Sequence, residues 1–140
     1  MAASDAVFVD SSAWIALLNA DDRFHQLAAE LFTAFRAARR PLVCTDWVFA
    51  ETGNGLARTA RRLQFIETVE RFRRSRHCRW IHIDEDAFQR ALKLYSLKDK
   101  QWGLVDCASF ATMREEGIQE AATSDHHFEQ AGFRCLLPTG

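Results

Sequence analysis

Short apolar runs recur along this chain, and amphipathic segments separate them. The runs are Ala6-Val7-Phe8-Val9, Pro41-Leu42-Val43-Cys44, Trp80-Ile81-His82-Ile83, Ala121-Ala122-Thr123 and Phe133 to Leu136. Runs this short and this continuously apolar fit strands buried on both faces. Between them the apolar period changes to that of a helix. Leu27, Leu31 and Phe35 recur every four residues within the stretch from Arg23 to Arg39. Leu63, Ile66, Val69 and Phe72 recur every three between Arg61 and Arg74. Further helices are expected over Ala13 to Leu18, from Thr45 or Asp46 through Glu51, from Asp84 to Leu94, and from Leu104 to Glu116 with Gly117 as its C-cap. A helical turn is expected from His126 to Gln130, and Leu97 to Gly103 reads as a polar loop. Strands alternating with helices predict a parallel sheet covered on both faces. Asp10 or a following serine is expected to cap the first helix. Gly53 and Gly55 fall inside the third, where each costs roughly 1 kcal/mol relative to Ala.

The 140 residues predict a single domain spanning 1–140. No apolar stretch approaches the ~20 residues of a membrane span. The N-terminus lacks a basic residue before its apolar run, and Asp5 and Asp10 interrupt that run, so a secretory leader is not expected. Four widely spaced cysteines without a C-x-x-C pair argue against zinc ribbons and redox motifs and fit reduced thiols in a cytoplasmic protein. Net charge is only −1, but it is unevenly distributed. Residues 36–79 carry eleven Arg against four acids, and the remainder carries seven basic residues against fifteen acids. The basic segment is either a solvated helix face or a phosphate-binding flank beside a carboxylate-rich site.

Ligands of parallel sheets bind outside the carboxyl ends of the strands. Asp10 and Asp125 stand at two such ends, and Glu51 and Asp106 lie on helices able to pack beside them. Two carboxylates about 4 Å apart repel by roughly 4 kcal/mol at an effective dielectric of 20, so a cation or protons must intervene. Hard divalent ions with oxygen ligands, Mg²⁺ or Mn²⁺, are the natural partners, and they activate water for attack on phosphorus. Taken singly, each acid also has an ordinary structural reading as a cap, a helix-dipole partner or a surface group. The apolar neighbours of Glu51 place it on a partly buried turn.

Four stretches together resemble the PIN-domain ribonucleases of the VapC toxin type. They are Val7-Phe8-Val9-Asp10-Ser11-Ser12-Ala13-Trp14, Thr45-Asp46-Trp47-Val48-Phe49-Ala50-Glu51, Leu104-Val105-Asp106-Cys107-Ala108-Ser109-Phe110 and Ala122-Thr123-Ser124-Asp125-His126-His127-Phe128. The resemblance implies a three-layer α/β/α sandwich around a short, mostly parallel sheet. It implies a Mg²⁺- or Mn²⁺-dependent endoribonuclease, a cognate antitoxin and a homodimer. Position by position it implies an acidic quartet of Asp10, Glu51, Asp106 and Asp125. Asp10 and Asp106 would ligate the metal directly, while Glu51 and Asp125 would hold its waters or a second ion. Asp99 matches an additional acid. Ser11 matches a hydroxyl that orients Asp10 or touches a phosphate, and Thr123 is a weaker candidate of the same kind. Arg58, Arg61 and Arg62 would contact phosphates or an acidic antitoxin.

Other chemistries fit less well. His126-His127 invites a zinc reading, but adjacent residues on a turn are expected to diverge, and no third soft ligand is near in sequence. Ser11 and Ser12 lack a nucleophile elbow. No glycine-rich phosphate loop is present. A haloacid-dehalogenase-like phosphatase needs an acid where Ser12 stands. The four Trp are expected in the core, with Trp102 in the polar loop as the candidate for base stacking. Two other functional classes stay open at this level: a nucleic-acid or protein-binding module without cleavage, and a metal-dependent phosphoesterase acting on other substrates.

Overall fold

The computed structural model describes residues 4–140. Its elements run β1 (Ser4–Val9), α1 (Ser11–Leu18), α2 (His25–Ala38), β2 (Leu42–Thr45), α3 (Asp46–Leu56) and α4 (Arg62–Arg74). Then follow β3 (Cys78–Ile81), α5 (Glu85–Tyr95), α6 (Leu104–Glu116), β4 (Ile118–Ala122), α7 (His126–Gln130) and β5 (Arg134–Cys135). The five strands form one sheet in the order β3-β2-β1-β4-β5, and every pairing is parallel. Helices flank it in the α/β/α arrangement that the apolar runs require. Strand order reverses at β1, which has β2 on one side and β4 on the other. Reversal opens a crevice beyond the carboxyl ends of β1 and β4, because successive crossovers leave in opposite directions.

Val7, Phe8, Val9, Val43, Cys44, Ala121 and Ala122 are fully buried, as continuous apolar strands demand. Two aromatic clusters accompany the sheet. Trp14 of α1 gathers Phe32 of α2, Phe49 of α3 and Phe72 of α4, with centroids 5.3–5.9 Å away, and Phe49 stacks on Trp80 of β3. Phe8 of β1 meets Phe128 of α7, which packs edge-on against Phe110 of α6. The second cluster seats α6, which carries Asp106, and α7, whose N-cap is Asp125.

Local sequence accounts for most boundaries. Thr45 caps α3 by accepting from the Val48 N–H, and Asp84 caps α5 by accepting from Ala87. Gly117 closes α6 with a left-handed φ of 69°. The chain then enters β4 at once, so this strand begins three residues before the expected run. β3 likewise begins at Cys78 rather than Trp80, because Leu42 of β2 extends the ladder to it. Gly53 and Gly55 do not break α3. A Cβ on Gly53 would lie 2.9 Å from Phe65 Cε2, and one on Gly55 would lie 3.1 Å from Ile15 Cδ1. Both glycines are what lets α4 and α1 approach α3. Asp10 occupies the N-cap position of α1, yet its side chain makes no cap bond there. The capping expectation fails because hydroxyls of the crevice take that carboxylate instead.

Candidate active site

β1 delivers Asp10 to the crevice, where it is 3% exposed. Its Oδ2 accepts from Thr123 Oγ1 at 2.9 Å and from Ser12 Oγ at 3.0 Å. Thr123 Oγ1 also receives the Asp125 N–H, and Ser12 Oγ receives the Ser124 N–H, each at 3.0 Å. These bonds tie the ends of β1 and β4 together and lock one oxygen of Asp10. The other oxygen, Oδ1, is buried without a hydrogen-bond partner. Burial pushes the Asp10 carboxyl up to about 6, against the Thr123 and Ser12 bonds that favour its charge; the charge of Glu51 adds to the rise.

Asp106 stands in the first turn of α6 with its side chain 16% exposed. Its carboxyl is pushed up to about 7, first by burial and then by the charges of Asp10, Asp125 and Glu51. Four acids distant in sequence therefore share one electrostatic field. Asp125 follows β4 and caps α7 through the His127 N–H. Glu51, one turn into α3, accepts from Ser11 Oγ at 2.6 Å.

A bare, buried carboxylate oxygen on Asp10, and an Asp106 that feels the charges of three other acids, call for a positive charge. The carboxylates of Asp10, Glu51, Asp106 and Asp125 fit a hard divalent cation, and Asp125, His126 and His127 offer ligand atoms within 4.8 Å of one another.

The sequence match decides the family. The PIN domain description fits residues 7–134, which span all four acids. The chain belongs to the PIN domain family. This PIN domain is 35% identical over 134 residues to the 23S rRNA-specific endonuclease VapC20 of Mycobacterium tuberculosis, covering 94% of this chain and 98% of that protein. The crystal structure of Mycobacterium tuberculosis VapC20, a sarcin–ricin loop cleaving toxin, matches with a TM-score of 0.79 at 32% identity, covering 91% of this chain and 95% of that one. FitAcB from Neisseria gonorrhoeae shares the fold, with a TM-score of 0.66 at 18% identity over 94% of this chain and 97% of the other.

Several expected site residues take different parts in this PIN domain. Ser11 does not orient Asp10; it bonds Glu51, and Ser12 holds Asp10 instead. Successive residues entering a helix differ by about 100° in direction, so only one of two adjacent serines faces the strand end. Thr123 is fully buried, which makes it a support for Asp10 rather than a contact for substrate. Trp102 is also buried. Its Nε1–H donates to Gln130 Oε1 at 3.1 Å and its ring packs edge-on against Phe110, so it is core and not a stacking platform. Glu51 is exposed rather than on a partly buried turn.

Asp99 is exposed and pairs with the adjacent Lys100 at 3.7 Å, and it is not among the acids that raise Asp106. Arg61 lies 3.7 Å from Asp21 in the connection between α1 and α2, and Arg62 donates to the Ala57 carbonyl within the turn between α3 and α4. Arg58 is exposed. His126 and His127 do not diverge; their rings lie 4.3 Å apart. His127, expected from the sequence to diverge from His126, stands among the acids instead. Its Nδ1 lies 3.2 Å from Asp125 and 3.7 Å from Asp106. The four cysteines are free, and among the described residues no helix is long and apolar enough to cross a membrane.

Proposed function

We infer that this PIN domain is a Mg²⁺- or Mn²⁺-dependent endoribonuclease and the toxin of a toxin–antitoxin pair. One observation carries the reading: Asp10 has one oxygen locked by Ser12 and Thr123 and the other buried and bare, and its charge joins those of Asp125 and Glu51 in acting on Asp106. Asp10 and Asp106 would hold the ion, and Glu51 and Asp125 would hold its waters. A divalent ion in this place supplies positive charge for a phosphodiester and raises the acidity of water for in-line attack on phosphorus. Ser12 and Thr123 keep Asp10 from turning away, and the β1–β4 bonds hold it at a fixed distance from Asp125. Hydrolysis in this mode leaves 5′-phosphate and 3′-hydroxyl ends.

The likeness to VapC20 over nearly the full length of both chains supports ribosomal RNA of the large subunit as the substrate. Recognition of a loop rather than a duplex fits sequence-specific cleavage, because unstacked bases of RNA present their edges freely. An antitoxin encoded alongside, a homodimer and a cytoplasmic setting complete the reading. A binding module that has lost cleavage is disfavoured by the complete quartet.

Cleavage of total cellular RNA by the purified protein tests this, with and without Mg²⁺ or Mn²⁺ and beside Asp10→Asn. Discrete metal-dependent fragments, absent in the variant and mapping to 23S rRNA, are expected. Equal cleavage by Asp10→Asn refutes the mechanism. Equal cleavage of single-stranded DNA or a chromogenic phosphate ester moves the substrate to another class.

A further inference from the structure

His127 enters the acid cluster from α7, and nothing in the quartet accounts for it. Its Nδ1 is shielded from solvent and has no hydrogen-bond partner. Asp125 Oδ1 lies 3.2 Å from that nitrogen and Asp106 Oδ2 lies 3.7 Å from it. The same Asp125 oxygen is occupied as the acceptor of the His127 main-chain N–H at 2.9 Å. The His126 ring, 4.3 Å away, limits how far His127 turns. A ring N–H pointed at these oxygens would bond one of them, and a bare lone pair pointed at two carboxylates is repelled. A cation between the three atoms removes the conflict. Donor atoms that share an ion through bonds of about 2.1 Å lie about 3.0 to 3.6 Å apart, close to the two separations seen here.

We propose that His127 Nδ1 is a ligand of the divalent ion, joining Asp106 and Asp125, and that this nitrogen makes the site favour Mn²⁺ and related first-row ions over Mg²⁺. The proposal rests on the reading that the acidic quartet holds a divalent cation. Mg²⁺ takes oxygen donors, keeps several waters and gains little from an imidazole. Imidazole suits first-row transition ions, whose affinity for nitrogen exceeds that of Mg²⁺. His126 is the competing nitrogen, since Asp125, His126 and His127 offer ligand atoms within 4.8 Å of one another. It is also beside Asp125, with Nδ1 3.8 Å from Oδ1, but its side chain is 58% exposed, against 25% for His127.

The test uses the full chain without RNA. Mn²⁺ is added and ¹⁴N hyperfine coupling is recorded by pulsed electron paramagnetic resonance, while calorimetry gives Mn²⁺ and Mg²⁺ affinities. Wild type is expected to show nitrogen coupling. His127→Gln is expected to lose it and to bind Mn²⁺ at least tenfold more weakly, with Mg²⁺ affinity changed less than twofold. His126→Gln is expected to keep the coupling. Melting in chelator establishes that each variant is folded, and His127→Asn replaces His127→Gln if the latter does not fold. Bound Mn²⁺ without nitrogen coupling in wild type overturns the proposal and leaves the ion on carboxylates alone. Coupling lost in His126→Gln and retained in His127→Gln overturns it as well. Folded wild type that binds neither ion refutes the underlying reading of the quartet, and the proposal falls with it.

Discussion

Asp10→Asn should stabilise this protein while abolishing its cleavage, and the size of the effect follows from burial. The Asp10 carboxyl is pushed from 3.8 up to about 6, chiefly by burial. Its folded value lies above its unfolded one, so the ionised form is the penalised form. The penalty is complete above both values and disappears below about pH 4. A rise of about two units corresponds to about 3 kcal/mol against the fold at pH 8 without metal. Removing this charge also relieves Asp106, which feels Asp10 as the first of its acidic neighbours. Asparagine keeps an acceptor for Ser12 and Thr123, but it places an amide N–H where Oδ1 was bare, at a cost of about 1 kcal/mol or more. The net gain is about 2 kcal/mol, or about 6 °C in Tm for a chain of this size. Differential scanning calorimetry in chelator at pH 8 and pH 5 measures it. The variant should melt about 6 °C above wild type at pH 8 and nearly level with it at pH 5. Added Mg²⁺ or Mn²⁺ should raise wild type far more than the variant. A variant that melts below wild type at pH 8, or by the same margin at both pH values, refutes the electrostatic account of this site.

Three further outcomes follow from the same geometry. Divalent-ion affinity should fall by about tenfold per pH unit between about pH 7 and 6 and toward roughly a hundredfold per unit below pH 6, because protons first compete at Asp106 (about 7) and then also at Asp10 (about 6); calorimetry between pH 8 and 5.5 reads it, and a flat profile contradicts it. Thr123→Val should move the acid limb of the cleavage profile to higher pH and reduce kcat at pH 7 by about twofold and more strongly at pH 6, since the lost hydrogen bond favours the charged Asp10; an unchanged limb assigns Thr123 to packing alone. Gly53→Ala should destabilise the fold by about 1–2 kcal/mol despite the better helix propensity of alanine, because its Cβ meets the Phe65 ring at 2.9 Å; urea denaturation measures it, and a gain in stability would show that the ring gives way freely.

The architecture was legible because its signals are local and chemical. Continuous apolar quartets such as 6–9 can satisfy their backbones and bury both faces only inside a covered sheet, and the intervening periods of three and four leave helices no other face to bury. Asp10 and Asp125 were legible for the same reason: each ends an apolar run, and the ends of parallel strands are where ligands bind. Sequence alone thus determined the parallel sheet, its helical cover and the acids at its carboxyl edge. What each neighbouring side chain does was decided by tertiary structure. Ser11 and Ser12 are adjacent and chemically identical, yet the helix turns one toward Glu51 and the other toward Asp10. Trp102 sits in a polar stretch and is nevertheless core, because Phe110 and Gln130 receive both its ring and its N–H. Gly53 and Gly55 look like helix breakers until α4 and α1 close on them. His127 gains its place beside Asp106 only when α7 folds back over the sheet. Ser11 meets Glu51 across 40 residues and Trp102 meets Gln130 across 28, and only packing brings such pairs together.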